Sequence, residues 1–532
     1  MTFSGALTLT DLNDFITPSQ ACIKPVEQVK PKDLRKEPGA AASEILIDGS
    51  GTYYEVSQAS GPGRRLEQAQ ISLNDCLACS GCITSAESVL ISLQSHEEVL
   101  NFLEANSKEE EGKKKIPVIS IAPQVLASLA ASVAASSEAS SSSSSPPVVT
   151  PLQILRRLRV FLKHTLGFSH IFDTTFAREL ALREHVKEFQ ERREKASQQS
   201  GKENRQPGDE EKGHFLPMLA SACPGWICYA EKTHAEMMPF IANTKSPQQV
   251  MGTLVKEWMG KKWGKRADGI YHVCVMPCYD KKLEASRSDF YNELYATRDV
   301  DCVITTGELD AVLKEKGWDL SIAVDGEMNA EPELLPELIE HPGTSSGSYL
   351  QAVIDHLTKT SEMPLELSVK QIRNADYEEY ELRQEDGQVV FKGAKCYGFR
   401  NLQNVVRKVG KESGVRVGIG AAGKLGGRVA RKREKDEAPG QKLEYIEVMA
   451  CPTGCVNGGG QLKAVGDGAW GDGGVKWGNR EWTKRVEAMY WETGGNPDMS
   501  PELLREIEDA GLGLRTSYRA VESNVVGLAV KW

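Results

Sequence analysis

The 532-residue sequence has no apolar run long enough to cross a membrane. Its N-terminal stretch, MTFSGALTLTDLNDF, lacks the basic start and the long apolar core of a secretory signal peptide. It also lacks a long block of one charge sign, because its 64 basic and 74 acidic residues, with a net charge of −10, are spread along the chain. These absences give no reason to expect a nucleic-acid or membrane partner, and they favour a soluble protein of the cytosol, with the nucleus as an alternative.

The chain contains 12 cysteines, and these are the residues that most need an explanation. A cytosolic compartment keeps thiols reduced, so clustered cysteines indicate metal or redox chemistry rather than disulfides. The cysteines outside the clusters have surroundings typical of a small apolar core residue. These are Cys228, Cys274, Cys302 and Cys396.

The first cluster is a compact triplet, Cys76, Cys79 and Cys82, with two residues between neighbours. This spacing is typical of a ferredoxin-type 4Fe–4S site. Cys22 is the only other cysteine before residue 223, which makes it the candidate fourth ligand. Two alternatives remain open: a zinc knuckle for the triplet, although no histidine lies beside it, and a free buried thiol for Cys22.

The second set consists of Cys223, Cys278, Cys451 and Cys455. Apolar runs lead into the three stretches SACPGW, MPCYDKK and ACPTGCVNGGG, so each stretch is predicted to follow a buried strand. In an α/β sheet, ligands bind at the edge where such strands end. Thiolates are soft ligands, and a cubane cluster needs four of them. We expect the glycines near Cys455 to let the backbone approach a cluster and direct amides at its sulfides.

Strand-like apolar runs alternate with amphipathic helical patterns through the middle of the chain. This alternation predicts an α/β fold in which helices cover both faces of a parallel sheet. The glycine- and serine-rich stretch 342–349 is either a phosphate cradle or a plain turn, and it lacks the lysine and the spacing of a P-loop. The predicted strands are 116–123, 168–173, 273–276, 300–305 and 415–420, and the predicted helices are 152–165, 177–193, 308–316 and 349–357.

Composition predicts three parts of the chain. Residues 1–105 hold the first cysteine set, residues 116–465 form the α/β domain, and residues 466–532 form a helical, aromatic C-terminal segment. Three stretches of low apolar content are predicted to be disordered insertions. They lie at about 132–147, 194–213 and 421–442.

The order of these motifs resembles the iron-only hydrogenases and their relatives, in particular the eukaryotic cytosolic iron–sulfur assembly factors related to nuclear prelamin A recognition factor. The resemblance covers both cysteine sets and the strand–helix framework between the loops. It implies two lobes of parallel sheet covered by helices, with a small ferredoxin-like segment at the N-terminus. It also implies one 4Fe–4S cluster on Cys22, Cys76, Cys79 and Cys82, and a second on Cys223, Cys278, Cys451 and Cys455.

The sequence departs from the hydrogenase pattern where protons and electrons are supplied. Hydrogenases have a proton-relaying cysteine where this chain has Ala222, and a methyl group cannot carry a proton. Leu462 replaces the proline that often follows the third hydrogenase loop, and the cysteines suffice for only one N-terminal cluster. Lys281 and Glu284 remain at positions that in hydrogenases lie against the active-site ligands. We therefore expect no hydrogenase activity, and no residue is assigned as catalytic.

The function that the resemblance implies is the maturation of cytosolic and nuclear iron–sulfur proteins, between early scaffold proteins and a late targeting complex that contains a WD40 propeller protein. Three alternatives remain: an iron-only hydrogenase or related redox enzyme, a zinc-stabilised interaction protein, and a cluster-dependent sensor. Trp532 either packs against the aromatic helix around Trp482 and Tyr490 or docks onto the targeting complex. The resemblance favours docking, although Lys531 stands where an acidic or small residue is usual.

Overall fold

A computed structural model of the chain describes residues 91, 93–140, 149–200, 216–327, 334–372, 374–412, 442–464, 480–492 and 500–520, and the backbone of three earlier strands. The chain divides into two compact units, Met1–Thr84 and Ser85–Trp532. In the first unit the strands form an antiparallel sheet in the order β1-β2-β3. These strands are β1 (Ser43–Ile47), β2 (Tyr53–Ser57) and β3 (Arg64–Arg65).

The boundary between the units falls earlier than the predicted domain limit at residue 105. Helix α1 (His96–Lys108) belongs to the second unit, because its Val99 is part of that unit's apolar core. The ring of Phe102, on the same helix, stacks on Tyr271 with 3.6 Å between ring centroids. A helix bound to the core in this way cannot be assigned to the N-terminal segment.

One sheet of the second unit is entirely parallel, as predicted. It consists of β4 (Ile116–Ile121), β5 (His170–Asp173), β7 (Ile270–Met276) and β10 (Cys302–Thr305), in the order β10-β7-β4-β5. Every residue of β7 is buried, which explains its continuous apolar sequence. Separate apolar clusters lie on the two faces of this sheet, so helices cover it on both sides.

The helices of the second unit connect these strands or pack across them. Thr150 forms a capping box at the start of the helix Pro151–Phe161, and Thr305 does the same for the helix Thr306–Glu315. The α-helices after α1 are α2 (Pro123–Ser140), α3 (Pro151–Phe161), α4 (Thr175–Ser200), α5 (Pro224–Thr233), α6 (Pro247–Thr253), α7 (Gly260–Lys262), α8 (Asp280–Ala285), α9 (Thr306–Glu315), α10 (Tyr349–Thr360), α11 (Phe399–Glu412), α12 (Arg480–Trp491) and α13 (Pro501–Asp509). No helix in the described ranges is long and apolar enough to span a membrane.

The second sheet is mixed and has five strands, in the order β11-β12-β13-β14-β6. Strands β6 (Met218–Ala220), β13 (Val389–Tyr397) and β14 (Tyr445–Met449) are parallel, whereas β11 (Leu365–Gln371) and β12 (Tyr377–Gln384) join β13 as an antiparallel ribbon. The sequence analysis predicted no part of this ribbon. Its strands carry charged cross-strand pairs on one face, such as the pair formed by Lys392 and Glu381 at 2.9 Å, so the apolar periodicity is weak.

Two predicted insertions are partly helical, so the prediction of disorder is wrong for residues 132–140 and 194–200. The end of α2 contains more serine than alanine, and it continues a helix whose start is buried in the core, where each further residue adds one backbone hydrogen bond. The Lys, Gln and Ala residues at the end of α4 favour continuation of that helix by their own propensity. The rest of these insertions, the predicted strand 415–420 and residues 421–441 lie outside the described residues.

The described helices of the C-terminal segment, α12 and α13, pack into the core of the second unit. Val486, Met489 and Tyr490 on α12 belong to the core cluster built around β4 and β7. Leu504 and Ile507 on α13 belong to the cluster on the opposite face of that sheet. Residues 480–491 and 501–509 are helical, and their apolar side chains complete the core of the second unit.

The buried side chain of His185, on α4, should make the stability of the fold sensitive to acid. The side chain is buried, and neither ring nitrogen has a hydrogen-bond partner among the described residues. Burial lowers its pKa to about 4 from 6.5, with Glu188 acting in the opposite direction. Because the folded pKa lies below the unfolded one, the unfolded chain takes up the proton first. His185 should therefore lower stability by about 1 kcal/mol between pH 7.5 and 5.5, and further down to about pH 4. The buried His272, whose pKa is lowered to about 3 mainly by burial, adds a fall of its own in the same pH range.

Urea unfolding of His185→Leu at several pH values tests this expectation. The variant should lose the part of the decrease that His185 causes, about 1 kcal/mol between pH 7.5 and 5.5, and should keep the part that His272 causes. It should also be more stable at low pH, since no unsatisfied nitrogen remains buried. His164 lies on the surface, so His164→Leu serves as the control and should keep the pH dependence of the parent. An unchanged pH dependence in His185→Leu would contradict the expectation.

Candidate metal centre

The second cysteine set lies where three strands of the two sheets end. Cys223 follows β6 and is the residue before α5. Cys278 follows β7, and Cys451 follows β14. Cys455 begins a short 3-10 helix, Cys455–Asn457. Because β6 and β14 are parallel neighbours in one sheet and β7 belongs to the other, the site combines loops from both sheets.

The four thiols are close enough to influence one another's ionisation. Burial raises the pKa of Cys451 well above its usual value, and the charges of Cys223, Cys278 and Cys455 raise it further. The pKa of Cys278 is raised in the same way, by burial first and then by Asp280, Cys223 and Cys455. The structure therefore places the four thiols of the second set near one another.

Cys223 has the most enclosed position of the set. Its pKa is raised to about 12, mainly by burial and then by Asp280 and Cys455. The backbone amides of Ala450 and Trp226 lie nearby and act to lower the pKa of this thiol, which opposes that rise in part. Cys278, Cys451 and Cys455 are half-buried as whole residues, yet burial is the largest influence on each thiol, so the sulfur atoms are desolvated.

Among the described residues, no three His, Cys, Asp or Glu side chains are placed to hold a single metal ion. A cubane cluster makes a different geometric demand, because each of its irons takes one thiolate. The donor set here, four thiols supplied by three loops and electrostatically coupled, fits that demand in number and in chemistry.

The glycines near Cys455 allow two of the cysteine loops to approach each other closely. A Cβ atom at Gly454, which has a φ of +86°, would lie 1.9 Å from Ser346 Oγ. A Cβ atom at Gly458 would lie 2.4 Å from the carbonyl oxygen of Pro277. Gly460 donates its N–H to that same oxygen at 2.9 Å. These contacts let the Cys455 loop pack tightly against the Cys278 loop, so the glycines place one ligand loop against another.

A buried polar network borders the thiols, as expected from Lys281 and Glu284. Lys281 Nζ lies 2.8 Å from Glu284 Oε2, and the hydroxyl of Ser246 donates to the same oxygen at 2.9 Å. Burial acts to lower the pKa of Lys281, but Glu284 and then Cys278 and Cys455 outweigh it, so the net shift is upward. The Lys281 ammonium is therefore a fixed positive charge beside two of the sulfurs. Ala222 is buried next to Cys223.

Arg178 supplies a second buried positive charge, and the sequence analysis missed it. Its guanidinium donates to the hydroxyl of Tyr490 on α12. Burial acts to lower its pKa, yet Tyr490, Tyr349 and Cys455 raise it overall. Arg178 lies on a helix rich in charge, more than three hundred residues from its partner in sequence, so no local pattern marks it.

Ser346 positions the Cys455 loop and was also missed. Its hydroxyl oxygen accepts the N–H of Cys455 at 2.8 Å, and its contact with the Cys455 sulfur acts to lower the thiol pKa. It lies in the glycine- and serine-rich stretch that offered either a phosphate cradle or a plain turn. The structure supports the turn, because the N-terminal amide of Leu350 on α10 is already bound to Glu447 at 2.8 Å.

Glu447, on β14, is the buried acceptor that holds this turn. Its carboxylate accepts hydrogen bonds from Thr344 Oγ1 at 2.9 Å and from the Tyr397 hydroxyl at 2.5 Å, besides the Leu350 amide. The side chain has no exposed surface. Since Thr344 and Ser346 belong to one turn, Glu447 fixes the turn that positions Cys455.

The other predicted residues divide between core positions and the part of the chain that is not described. Cys274, Cys302 and Cys396 are buried in strands, as predicted, and Cys228 is half-buried on α5. The remaining predicted site residues lie outside the described ranges. These are Cys22, Cys76, Cys79, Cys82 and Trp532.

Comparison with known proteins agrees with this geometry. Residues 115–459 match the family described as iron only hydrogenase large subunit, C-terminal domain. An FeFe-hydrogenase variant from Chlamydomonas reinhardtii, solved in its apo form, shares the fold with a TM-score of 0.55 at 23% identity, covering 80% of this chain and 98% of the hydrogenase. Fold and thiol arrangement together define a hydrogenase-like protein.

Relatives that match this chain over nearly its full length identify a narrower family within this class. The cytosolic Fe-S cluster assembly factor NAR1 of Cryptococcus neoformans is 43% identical, with 94% of this chain and 88% of the relative covered. The cytosolic iron-sulfur assembly component 3 of Mus musculus is 42% identical, with 100% of this chain and 99% of the relative covered. The chain belongs to this family of hydrogenase-like cytosolic iron–sulfur cluster assembly factors.

Proposed function

We propose that this protein acts in the assembly of cytosolic iron–sulfur proteins and holds two 4Fe–4S clusters while doing so. The observation that carries the proposal is the set of four coupled thiols at Cys223, Cys278, Cys451 and Cys455, built on a hydrogenase fold. The relatives that match nearly the whole chain are named as assembly factors, which supports the same process here.

The groups around the second cysteine set favour a negatively charged cluster. A bound 4Fe–4S cluster supplies one-electron redox chemistry and adds negative charge to the thiolate ligands. Lys281 and Arg178 place fixed positive charge beside Cys455, and the backbone amides of Ala450 and Trp226 act to lower the pKa of Cys223. Hydrogen bonds and charges of this kind around the ligands tune the affinity for a metal cluster.

The first cluster is proposed on Cys22, Cys76, Cys79 and Cys82, which lie outside the described residues. The support is the ferredoxin-type spacing of the triplet and the absence of any other cysteine before Cys223. A 4Fe–4S cluster at this position would belong to a segment preceding the second unit. Its occupancy is therefore separable from that of the second cluster by mutation.

Anaerobic reconstitution with iron and sulfide tests the proposal directly. Two clusters require about eight iron and eight sulfide per chain, with the EPR signals of two reduced clusters. Cys79→Ser should remove the signal of the first cluster and about half of the iron. Stoichiometric zinc without labile sulfide would instead identify a zinc-stabilised interaction protein.

The protein is proposed to lack hydrogenase activity, because Ala222 stands where hydrogenases relay protons. Methyl viologen-coupled assays, with the maturation enzymes for a diiron site supplied, should detect no hydrogen evolution above a Cys223→Ala control. Ala222→Cys alone should not restore activity. Sustained turnover by the parent protein would contradict this assignment.

The partners proposed are early scaffold proteins and a late targeting complex containing a WD40 propeller protein, in the cytosol and also in the nucleus. We propose Trp532 as an aromatic anchor for that complex, because a single buried aromatic ring can contribute much of the affinity of a small interface. Trp532→Ala should weaken binding at least about tenfold without changing iron content or melting temperature. Lys531→Ala is the neighbouring control, and a loss of thermal stability in Trp532→Ala would identify a packed core residue instead.

A further inference from the structure

The outer edge of the five-stranded sheet is a long strand with little protection. Strand β11 is the terminal strand of the sheet, and six of its seven residues are exposed. Leu367 is 40% exposed and Val369 is 50% exposed. Proteins usually shield such an edge with proline, a bulge or a covering loop, since its free peptide groups readily pair with another strand. The β-bulge of this ribbon lies between β12 and β13 and does not disrupt β11.

The register of the ribbon shows which peptide groups are free. The N–H of Ile372 donates to the Tyr377 carbonyl at 3.0 Å, so even-numbered residues turn their peptide groups toward β12. The odd-numbered residues, Leu365, Leu367, Val369 and Gln371, therefore turn theirs outward. Among the described residues these outward groups have no strand beside them.

The sequence of β11, LELSVKQ, is complementary to itself in antiparallel pairing. With a two-fold axis at Ser368, Leu367 lies opposite Val369 of the second copy, and Glu366 lies opposite Lys370 of the second copy. In this register, residues whose peptide groups turn outward lie opposite such residues of the second copy, as backbone hydrogen bonding between the two strands requires. The pairing yields roughly eight interchain backbone hydrogen bonds. If the two-fold axis is shifted to Leu367 or Val369, outward-facing peptide groups still meet each other. Glu366 then no longer lies opposite Lys370 of the second copy.

Residues of β12, the strand next to β11, extend both the apolar pairing and the charge pairing. Leu367 lies opposite Leu382 on β12, and Val369 lies opposite Tyr380, so the joined sheet would have a continuous apolar row on one face. On the other face Lys370 lies opposite Glu379, and Glu366 lies opposite Arg383. A row of alternating charge would therefore run from Glu379 of one copy to Arg383 of the other. Cross-strand pairs of these types stabilise antiparallel sheets.

We propose that β11 is a self-association edge, at which a second copy of this chain adds its own β11 antiparallel and centred on Ser368. The partner is a copy of the same chain, because the apolar match, the charge match and the hydrogen-bond alternation all hold in one register. The pairing joins two five-stranded sheets into one continuous sheet. An interface of this size is small, so we expect a reversible dimer.

Sedimentation equilibrium of the full-length, cluster-loaded protein from about 1 to 100 µM tests the proposal, with a reversible monomer–dimer equilibrium expected. Val369→Lys should raise the dimer dissociation constant at least about tenfold, since it places a charge in the apolar row. Ile322 is an exposed apolar residue outside the ribbon, so Ile322→Lys is the matched control and should leave the constant unchanged.

A pair of charge reversals tests the register itself. Glu366→Lys places lysine opposite Lys370 of the second copy, and Lys370→Glu places glutamate opposite Glu366, so each variant alone should dimerise at least about fivefold more weakly. An equimolar mixture of the two variants restores opposite charges at both ends and should recover the parent affinity within about twofold. A variant weakened only by local misfolding would not be rescued by mixing.

Other outcomes would overturn the proposal. They are a parent protein that stays monomeric throughout the concentration range, a dimer that Val369→Lys leaves intact, and a mixture of charge variants that fails to recover association.

Discussion

Replacing Cys451 with serine is expected to remove about four of the eight iron atoms and to destabilise the second unit by several kcal/mol. The second cluster would join loops far apart in sequence, at Cys223, Cys278 and Cys451, so its loss releases long stretches of chain. Metal binding of this kind contributes to folding free energy, because the assembled ligand set does not exist in the unfolded chain. Iron analysis and anaerobic calorimetry measure the two effects.

The matched control for this prediction is Cys274→Ala. Cys274 is a thiol on β7, the strand that leads to Cys278, and it is buried in the apolar core of the second unit. Its replacement should cost about 1 kcal/mol through lost packing and leave the iron content unchanged. Cys79→Ser gives the reciprocal result, loss of the other half of the iron with little change in the unfolding of the second unit. Full iron content in Cys451→Ser would show that Cys451 is not a ligand.

Removing the Glu447 carboxylate is the second change with a large expected effect. Glu447→Ala leaves the Thr344 hydroxyl and the Leu350 amide without their buried acceptor, whereas the Tyr397 hydroxyl can still donate to Thr344 Oγ1, 2.9 Å away. Each unsatisfied buried donor costs about 1–3 kcal/mol, so the variant should lose at least about 2 kcal/mol of stability. The turn that carries Ser346 should also loosen, and the rate of iron loss to a chelator should rise.

Two variants distinguish the effect of losing the acceptor oxygen at Glu447 from the effect of losing one negative charge. Glu447→Gln keeps an acceptor oxygen in the same place and should retain much of the stability and the slow iron release. Glu381 lies in a charged pair at the protein surface, so Glu381→Ala should change stability by less than about 1 kcal/mol. Slow iron release in Glu447→Ala, despite lower stability, would show that the turn does not control the site.

Much of the parallel sheet was predictable because buried parallel strands have continuous apolar sequences. Strand β7 is buried along its whole length, and its apolar run marks both the strand and the position of Cys278. The antiparallel ribbon was not predictable from the same signal. Strand β11 is mostly exposed, and its partner β12 has the sequence YEEYELRQ, so pairing with neighbouring strands determines the structure there.

The limits of the insertions were mispredicted for a related reason. Low apolar content suggested disorder from residue 132 onward, but this serine- and alanine-containing sequence continues a helix whose first part is already buried against the core. Helix propagation adds one hydrogen bond for each residue fixed, so α2 extends to Ser140 once its start is anchored.

The sequence by itself identified the candidate cysteine ligands, because thiolate chemistry is carried by residue type and the apolar runs show where strands end. Only the tertiary structure decided what surrounds those ligands. Arg178, Ser346 and Glu447 come from three separate elements and reach the site through contacts between residues distant in the chain. Periodicity reports which side of a strand or helix is buried, but it does not report which distant side chain supplies a charge or a hydrogen bond there. Partners of that kind are fixed only when the two sheets and their helices pack together.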